Sequence, residues 1–447
     1  MKTTPYIFIS IASYRDSELI PTLLDMIKTS DHPERLRVGI CWQHDEKDAS
    51  LFLDAGMNIH RQDKHQGFDL YTLRYENAVI KALSIHYFDS KGACWARYMT
   101  ESLYQDEDYF LQIDSHCRFS QGWDTEMISM QGELKNKSKK PILSGYPPAY
   151  IPEFEHEKKH YVGRLIFREF NNDGIVMLTS EHQSESSPVR GCFLAGGFIF
   201  SDGSFVKDIP NDPLIFFAGE EISMAARAFT HGYDVYYPHK PLLWHFYERP
   251  NHTKVWSDHT GEAKESGSID LTWWDRDNIS KKRIRTLFDL ETEEKSDLGK
   301  FTLGNKRTLK EFEHVSGVDF RKCAVQPEVV GKERVGFFIK KTENDEEWQN
   351  KLIVPNTKKV SFEKSEIDVE LEKISYLYIG AYSHNNVLLE QKKINKDELI
   401  EIMNNDEKSK IEISLNFNTS LGVKPFYIRM CPFIESQGWG NTTEKSW

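Results

Sequence analysis

The stretch Tyr109–His116, with the sequence YFLQIDSH, joins a short apolar run to an acidic residue and a histidine. Its first five residues predict a buried β-strand, because aromatic and aliphatic side chains dominate them. In an open α/β sheet, ligands bind beyond the carboxyl ends of the strands, where Asp114 and His116 would then lie. A carboxylate and an imidazole two residues apart can both point at one divalent cation, which suits Mn²⁺ or a similar ion. The alternative is that Asp114 caps the next turn and His116 is an ordinary buried residue.

Strands and helices are predicted to alternate on the N-terminal side of this stretch. Apolar runs indicate strands at Tyr6–Ala12 and Leu36–Trp42, and apolar residues at helical spacing indicate helices at Glu18–Lys28 and Ala93–Tyr104. Between the second strand and residue 85 lies a long polar stretch, which is predicted to be a connection. The alternation implies parallel βαβ units in an open α/β sheet that helices cover on both faces.

The chain after His116 continues with extended segments and one clearly amphipathic helix. That helix is predicted at Glu220–His231, and Gly232 behind it is a typical C-terminal cap residue. Ile279–Phe320 is predicted to be helical and charged. Extended segments are predicted at Pro141–Gly145, Tyr161–Phe167, Gly174–Thr179, Cys192–Phe200, Val235–Tyr237 and Leu242–Phe246.

From about residue 335 the pattern changes to short β-like runs with polar connections, which suggests a small β-sandwich. We therefore predict a first domain over residues 1–330 and a β-rich second domain over residues 335–447. Only Lys396–Met403 looks helical in this part of the chain. The predicted strands are Val335–Lys340, Lys351–Val354, Val360–Phe362, Ile374–Ala381, Ile411–Phe417 and Pro425–Met430.

Composition excludes several classes of protein. The 447 residues include 27 Phe, 19 Tyr and 10 Trp, enough to build a sizeable core and not a disordered chain. A formal charge of −12 argues against a nucleic-acid binder or a protein of anionic membrane surfaces. No apolar run is long enough to span a bilayer. The six cysteines show no CxxC pair, so we expect a reducing, cytoplasmic location.

Two protein ligands hold a metal poorly, so a third ligand should come from elsewhere in the chain. His245 lies near the end of the apolar run Leu242–Phe246 and is the first candidate. His252 and His259 lie in more polar surroundings and are weaker alternatives. A hydrogen-bonded core position remains the ordinary explanation of any single histidine.

Two further segments could contact a ligand. Glu220 and Glu221 open the amphipathic helix directly after Gly219, where carboxylates are stabilised by the exposed amides and the helix dipole. A role towards a ligand is about as well supported, because glycine permits close approach of the backbone. Gly196 and Gly197 have the same ambiguity: glycines weaken a strand unless something must come close.

Taken together and in order, these segments resemble a known family. The resemblance is to the N-acetylglucosaminyltransferases of glycosyltransferase family 60, cytoplasmic enzymes that modify hydroxyproline. It covers residues 5–325, and the chain from residue 335 lies outside it. The motifs that carry it are SIASYRD at Ser10–Asp16, KGACWAR at Lys91–Arg97, LQIDSH at Leu111–His116, GWD at Gly122–Asp124 and FAGEE at Phe217–Glu221, followed by the tail segments Leu298–Lys300, Arg307–Leu309 and Ser316–Phe320.

A more distant resemblance is to the mucin-type polypeptide N-acetylgalactosaminyltransferases. The segments Ala195–Gly197, Gly219–Glu221 and Trp244–Phe246 are similar in order to the sugar- and metal-contacting segments of those enzymes. They have a GT-A fold, bind Mn²⁺ through a DxH motif and a distant histidine, and retain the anomeric configuration. The helix-opening motif departs from theirs, because this chain has Gly-Glu-Glu where they have Gly-Glu-Asn.

The resemblances imply a GT-A-like, Rossmann-like transferase domain that uses UDP-N-acetylglucosamine as donor and a protein hydroxyproline or a saccharide as acceptor. Asp114, a DXD-like carboxylate, would hold Mn²⁺ (or Mg²⁺) on the diphosphate together with His116 and His245. By the same resemblance, the residues along the nucleotide would be Ser13, Tyr14, Arg15 and Arg97, and those along the sugar would be Gly196, Gly197, Glu220 and Glu221.

Retention could arise in two ways. In same-face attack the departing phosphate takes the proton of the acceptor, whereas a double displacement would use Glu220 or Glu221 as nucleophile. We favour same-face attack.

Two other classes of protein compete with the transferase: a metallohydrolase built on Asp114 and His116, and a non-catalytic carbohydrate-binding protein. The first lacks an HExxH motif, and the second would not need the metal and glutamate motifs together.

Overall fold

The chain divides into two units that are interleaved in sequence. The computed structural model describes residues 5–45, 49–290, 295–340, 342–367, 373–404 and 410–447. Unit 1 comprises Met1–Arg321 and Arg334–Lys341, and unit 2 comprises Lys322–Glu333 and Thr342–Trp447. The predicted domain boundary near residue 330 stays a prediction, and the segment that follows it returns to unit 1 before the chain enters unit 2 again.

Unit 1 is built from an open sheet with helices packed around it. Its strands are β1 (Ile7–Tyr14), β2 (Leu36–His44), β3 (Asn58–His65), β4 (Phe68–Tyr75), β5 (Ala78–His86), β6 (Tyr109–Asp114), β7 (Cys117–Phe119), β8 (Pro141–Ser144), β9 (Val162–Phe170), β10 (Val176–Gln183), β11 (Val189–Gly191), β12 (Phe198–Asp202), β13 (Asp234–Tyr237), β14 (Leu243–His245) and β15 (Val318–Asp319). Its helices are α1 (Leu19–Thr29), α2 (Ser50–Asp54), α3 (Ala93–Glu101), α4 (Trp123–Leu134), α5 (Phe205–Asp208), α6 (Glu220–Thr230), α7 (Val255–Asp258), α8 (Gly261–Glu265), α9 (Trp273–Leu287) and α10 (Leu309–Ser316), with 3₁₀ turns at Pro33–Arg35, Tyr87–Asp89 and Pro152–Glu157.

The main sheet is parallel at its centre and mixed towards both edges. Among the described residues its strand order is β11-β13-β8-β12-β6-β1-β2-β5-β4-β3. The four central strands β6, β1, β2 and β5 run parallel. The alternation of strands and helices predicts this for β6, β1 and β2, whereas β5 lies in the stretch predicted as a connection. Their runs of buried aliphatic residues pack against helices into one core that includes Leu23, Trp123 and Met127. The predicted α/β fold is confirmed, and β12 joins this centre antiparallel to β6.

The predicted polar connection before residue 85 is wrong. Residues 58–75 form the antiparallel strands β3 and β4, which extend the sheet beyond β5. Six of the eight residues of β3 are exposed, because it is the edge strand and carries polar side chains on both faces. Such a strand has no alternation of apolar and polar residues, so periodicity could not reveal it.

Two other predicted elements are shorter than expected. The predicted strand Cys192–Phe200 begins only at Phe198, and the glycine pair precedes it in a loop. The predicted helical region Ile279–Phe320 contains the second part of α9, which begins earlier at Trp273, and the whole of α10, which begins at a capping box formed by Thr308 and Glu311. Residues 291–294 of that region lie outside the described chain.

A short two-stranded sheet, β7 paired with β14, connects the main sheet to the later part of unit 1. The pairing is antiparallel, and His245 lies opposite Cys117. The backbone N–H of Phe246 donates to the carbonyl of His116 (3.0 Å). Because β7 follows β6 after a two-residue turn, this pairing brings His245, from the later part of unit 1, to the carboxyl end of β6.

Unit 2 is β-rich, as the sequence predicts, with two sheets around one apolar core. Its core includes Phe362, Leu377 and Ile411. The predicted strand Val335–Lys340 is wrong, since that segment is irregular, and the predicted strands at Lys351–Val354 and Val360–Phe362 are parts of one strand, β17. The elements are β16 (Ala324–Val325), α11 (Asp345–Asn350), β17 (Ile353–Glu363), β18 (Ile374–Ser383), β19 (Leu388–Asn395), α12 (Lys396–Asn404), β20 (Lys410–Ser420), β21 (Pro425–Ile434), β22 (Gly438–Trp439) and β23 (Thr443–Ser446), with 3₁₀ turns at Pro327–Val329 and Lys364–Glu366.

Pairing within unit 2 follows the alternation of its side chains. β17 pairs with β20, and β18 lies between β19 and β21. In β20 the odd-numbered residues 411–419 are buried and their neighbours are exposed, which is the pattern of a strand with one face on the core. Among the described residues, no helix is long and apolar enough to cross a membrane.

We predict that unit 1 needs the segment 334–341 for full stability. The N–H of Phe338 donates to the carbonyl of Val315 (2.8 Å), and the Arg164 guanidinium donates to the carbonyl of Arg334 (2.9 Å). A chain ending at Glu333 loses these contacts and should be about 1–3 kcal/mol less stable than one ending at Lys341. Chemical denaturation of both truncated chains measures the difference. Equal stability of the two would show that the segment contributes nothing.

Candidate active site

Three side chains converge where the central strands end. Asp114 is the last residue of β6, His116 lies in the turn to β7, and His245 is the last residue of β14. The Nε2 atom of His245 lies 3.0 Å from Oδ2 of Asp114 and 3.0 Å from Nε2 of His116. The third separation, from His116 Nε2 to Asp114 Oδ2, is 3.9 Å. The residues form a possible metal-binding triad, because their ligand atoms all lie within 4.8 Å of one another.

A fourth residue orients the triad. Asp16 accepts a hydrogen bond at Oδ2 from Nδ1 of His116 (2.8 Å), and Ser115 and Arg249 donate to the same carboxylate. Burial acts to raise the pKa of Asp16, but the bond and charge of His116 and the charge of Arg249 outweigh it and lower the pKa to about 2. A carboxylate on the far nitrogen of a histidine fixes its tautomer and directs Nε2 at a metal.

The surroundings of the triad favour an ionised Asp114 and a neutral His245. Burial acts to raise the pKa of Asp114, but the hydrogen bond from His245 and the charge of Arg97 hold it well below its usual range. Burial lowers the pKa of His245. Its Nδ1 atom has no hydrogen-bond partner among the described residues. A deprotonated carboxylate and neutral histidines are the forms that bind metal.

Arg97 links Asp114 of the triad to Glu220, the first residue of α6. It lies on α3, is 5% exposed, and donates to Oδ1 of Asp114 (2.8 Å) and to Oε1 of Glu220. One guanidinium thus compensates two carboxylates at the floor of the site. The resemblance places Arg97 along the nucleotide, and the structure shows it in contact with residues predicted for the metal and the sugar.

Glu221, at the opening of α6, has both carboxylate oxygens engaged. The backbone N–H of Gly196 donates to Oε1 (3.0 Å) and the hydroxyl of Tyr146 donates to Oε2 (2.5 Å). Burial raises the pKa of Glu221, although the bonds from Tyr146 and Gly196 oppose the shift. Gly219 caps the helix with φ +87°, a conformation that favours glycine.

The glycine pair lies against these charged groups. A Cβ atom on Gly197 would stand 2.6 Å from Oδ2 of Asp114, and one on Gly196 would stand 2.8 Å from a guanidinium nitrogen of Arg97. Only glycine therefore lets this loop approach the floor of the site so closely. The close approach that the sequence predicts for Gly196 and Gly197 is to the protein's own site residues.

One cavity of about 650 Å³ contains these groups, a volume within the usual range for small-molecule sites. Every site residue predicted from the sequence lines it except Ser13 and Arg15. Ser13 is buried, and its hydroxyl has no partner among the described residues. Arg15 instead pairs with Asp258, which also accepts a hydrogen bond from the hydroxyl of Tyr14 (2.7 Å).

The two weaker ligand candidates lie apart from the triad. His252 lines the cavity, and burial lowers its pKa to about 4. His259 is fully buried and contacts the carbonyl of Tyr87 through Nε2 (3.0 Å). Neither belongs to the group of converging ligand atoms found among the described residues.

Sequence reasoning missed several residues of the cavity. Tyr146, Tyr247, Arg249 and Trp256 line it. The first three lie in loops, and Trp256 lies in α7, whose four residues are too few to show a periodicity. Asp16 stands within the SIASYRD motif, and its position just after β1 was a signal that could have identified it. The loop residues carry no such signal, because only the tertiary fold brings them to the cavity.

Comparison with known proteins identifies the family of the chain. A family model described as Glycosyltransferase (GlcNAc) matches residues 6–322. The chain belongs to this family, since the match spans more than half of it. A search of curated protein sequences returns no match.

Two solved structures resemble the chain at low sequence identity. One is GalNAc-T7, crystallised with UDP, GalNAc and Mn²⁺, at 11% identity and a TM-score of 0.42 over 70% of this chain. The other is S. aureus TarS 1-349, at 12% identity and a TM-score of 0.35 over 63% of this chain and 71% of that one. The chain spans 56% of the length of the GalNAc-T7 chain.

We predict that Gly197→Ala displaces the carboxylate of Asp114 and so weakens Mn²⁺ binding. The new methyl group would overlap Oδ2, so Mn²⁺ affinity should fall about tenfold or more, at a cost of about 1–3 kcal/mol in stability. Calorimetric titration with Mn²⁺ and thermal melting measure the two effects. Gly132→Ala is the matched control: it lies in α4 with nothing within 4 Å of the added atom and should keep Mn²⁺ affinity unchanged. Unaltered Mn²⁺ binding in Gly197→Ala would contradict the prediction.

Proposed function

We propose that the enzyme transfers N-acetylglucosamine from UDP-N-acetylglucosamine to a hydroxyl group of a protein or saccharide, with a divalent cation bound at the triad. The family match supports the reaction type, and the resemblance of the motifs to glycosyltransferase family 60 supports the donor and a hydroxyproline acceptor. The single observation that carries the proposal is the convergence of Asp114, His116 and His245 on the floor of a cavity also lined by Glu220. The free cysteines among the described residues support a cytoplasmic location.

The triad fits Mn²⁺ by its chemistry. One carboxylate oxygen and two imidazole nitrogens are donors that Mn²⁺ accepts beside phosphate oxygens, and the atoms are close enough to share one ion. The hydrogen bond between Nδ1 of His116 and Asp16 agrees with a histidine whose Nε2 atom is directed at a metal ion. When bound, the cation would neutralise charge that develops on the diphosphate leaving group.

The remaining residues of the floor position the sugar and stabilise charge. Glu220, held by Arg97, offers a carboxylate whose orientation is fixed before the donor binds. A fixed negative charge is worth most where positive charge develops on the anomeric carbon. Arg249 and Lys254, which also line the cavity, supply positive charge for a diphosphate.

Same-face attack fits the contacts of Glu221 better than a double displacement. Both glutamates that could act as nucleophile are already engaged within the protein: Glu221 accepts hydrogen bonds at both oxygens, and Glu220 is paired with Arg97 through Oε1. In same-face attack the acceptor hydroxyl gives its proton to the departing phosphate oxygen, so no protein base is required. Glu221 then serves to hold the Gly196 amide and the Tyr146 hydroxyl.

We predict that UDP binding depends on Mn²⁺ and on the triad. UDP with Mn²⁺ should raise the melting temperature of the wild type, whereas Asp114→Asn and His116→Ala should lose the shift because the ligand set is broken. Asp16→Ala should lower Mn²⁺ affinity by about 10–100-fold, since it removes the carboxylate that orients His116. His60→Ala, an exposed histidine of β3, should behave as wild type.

Turnover and binding measurements on the wild type separate the transferase from the other two classes of protein. UDP release from a panel of UDP-sugars, followed by mass spectrometry of acceptors in lysate, tests for transfer directly. Stabilisation by Mn²⁺ alone, with no effect of UDP, would favour a metallohydrolase. Binding of UDP-sugar without turnover would favour a carbohydrate-binding protein and overturn the proposal.

We further predict that Glu220→Gln lowers turnover much more than UDP affinity. The charge of a carboxylate near the donor sugar matters most in the transition state, so kcat should fall while the UDP dissociation constant stays nearly constant. A first-turn glutamate that served only the helix dipole would affect stability by about 0.3–1 kcal/mol and leave turnover alone. Turnover, UDP calorimetry and thermal melting on the one variant decide between these roles.

A further inference from the structure

A chain of buried polar side chains leads from α3 to the glycine loop of the active site. The Glu101 carboxylate accepts hydrogen bonds from the Nδ2 atom of Asn211 (2.7 Å) and from its backbone N–H (3.0 Å). The same Nδ2 atom donates to Oε1 of Gln112 (2.9 Å). Gln112 in turn donates through Nε2 to the carbonyl of Gly196 (2.7 Å).

Packing alone does not explain why these three polar side chains are buried. Asn211 and Gln112 are 0% exposed, and Glu101 is 6% exposed. Burial raises the pKa of Glu101 to about 7, while the bonds from Asn211 oppose the shift. Apolar residues of similar shape would fill these positions without the desolvation cost of three polar groups.

The chain of hydrogen bonds ends on Gly196, whose backbone also contacts the active site. The Gly196 carbonyl is held from the core by Gln112, and its N–H is held from the cavity by Glu221. The next residue, Gly197, is the one whose added Cβ would overlap the carboxylate of Asp114. A shift of this loop would therefore reach the triad and Glu221 at once.

The same helix supplies both supports of the floor. Glu101 and Arg97 lie four residues apart on α3, which places their side chains on one face of the helix. Arg97 holds the carboxylates of Asp114 and Glu220, and Glu101 holds the far end of the polar chain. The positions of the charged groups and of the glycine loop therefore both depend on α3.

We propose that Glu101, Asn211 and Gln112 are positioning residues for glycosyl transfer, which set the Gly196–Gly197 backbone against the metal triad and Glu221. They do not touch the donor. The proposal rests on the proposed function for its kinetic consequence, whereas its structural consequence, protection of the glycine loop, is independent of it.

The test compares two buried glutamines. Gln112→Met removes the bond to Gly196, and Gln131→Met is the matched control, because Gln131 is also fully buried and donates to a backbone carbonyl, that of Pro141 (2.8 Å). Both variants should lose stability. Only Gln112→Met should lower kcat with UDP-N-acetylglucosamine, by about tenfold or more, with KM little changed.

Hydrogen exchange gives a readout that does not depend on turnover. In Gln112→Met the amides of residues 193–198 should exchange faster than in the wild type, whereas Gln131→Met should leave them protected. Glu101→Gln keeps an acceptor oxygen for Asn211 and should retain most of the activity that Glu101→Leu loses. This rescue separates a hydrogen-bond role from simple filling of space.

The outcomes are distinct for the two proposals. Faster loop exchange together with reduced kcat in Gln112→Met alone supports the positioning role. Equal behaviour of Gln112→Met and Gln131→Met in both measurements overturns it. If the wild type turns over no UDP-sugar, the proposed function fails, and the exchange of residues 193–198 then decides the positioning role by itself.

Discussion

The buried guanidinium of Arg97 is the interaction on which the site depends. Two carboxylates, Asp114 and Glu220, come from different parts of the chain and would repel each other at the floor of a cavity with limited access to water. One planar cation between them permits both to be ionised and fixes their separation. Removal of the cation would leave two poorly compensated carboxylates, so the floor depends on α3 for its charge balance as well as for its shape.

The geometry of the triad depends on backbone pairing and not on side-chain packing alone. β7 continues directly from the strand that carries Asp114, and its pairing with β14 fixes the position of His245 through main-chain hydrogen bonds. A ligand held by a sheet ladder has little freedom to move away from its partners. Such a site is prepared before a cation arrives, which lowers the cost of ordering the ligands on binding.

The sequence was informative where local pattern and function coincide. Asp114, His116 and His245 could be predicted because they lie at the ends of apolar runs, and the motif resemblance added roles for His245 and the glycines. The edge strand β3 was missed because neither of its faces is apolar. Asn211 and Gln112 could not be identified either, since a buried amide in the sequence looks the same as an exposed one. Their role depends on contacts across nearly one hundred residues, for which no local spacing exists.

The interleaving of the two units has a consequence for the order in which the protein is made. Unit 1 receives its last segment, residues 334–341, only after residues 322–333, which belong to unit 2, have been synthesised. Domains fold from the N-terminus as the ribosome releases them. The surface of unit 1 around Arg164 and Val315 therefore stays partly exposed to solvent until residues 334–341 have been synthesised.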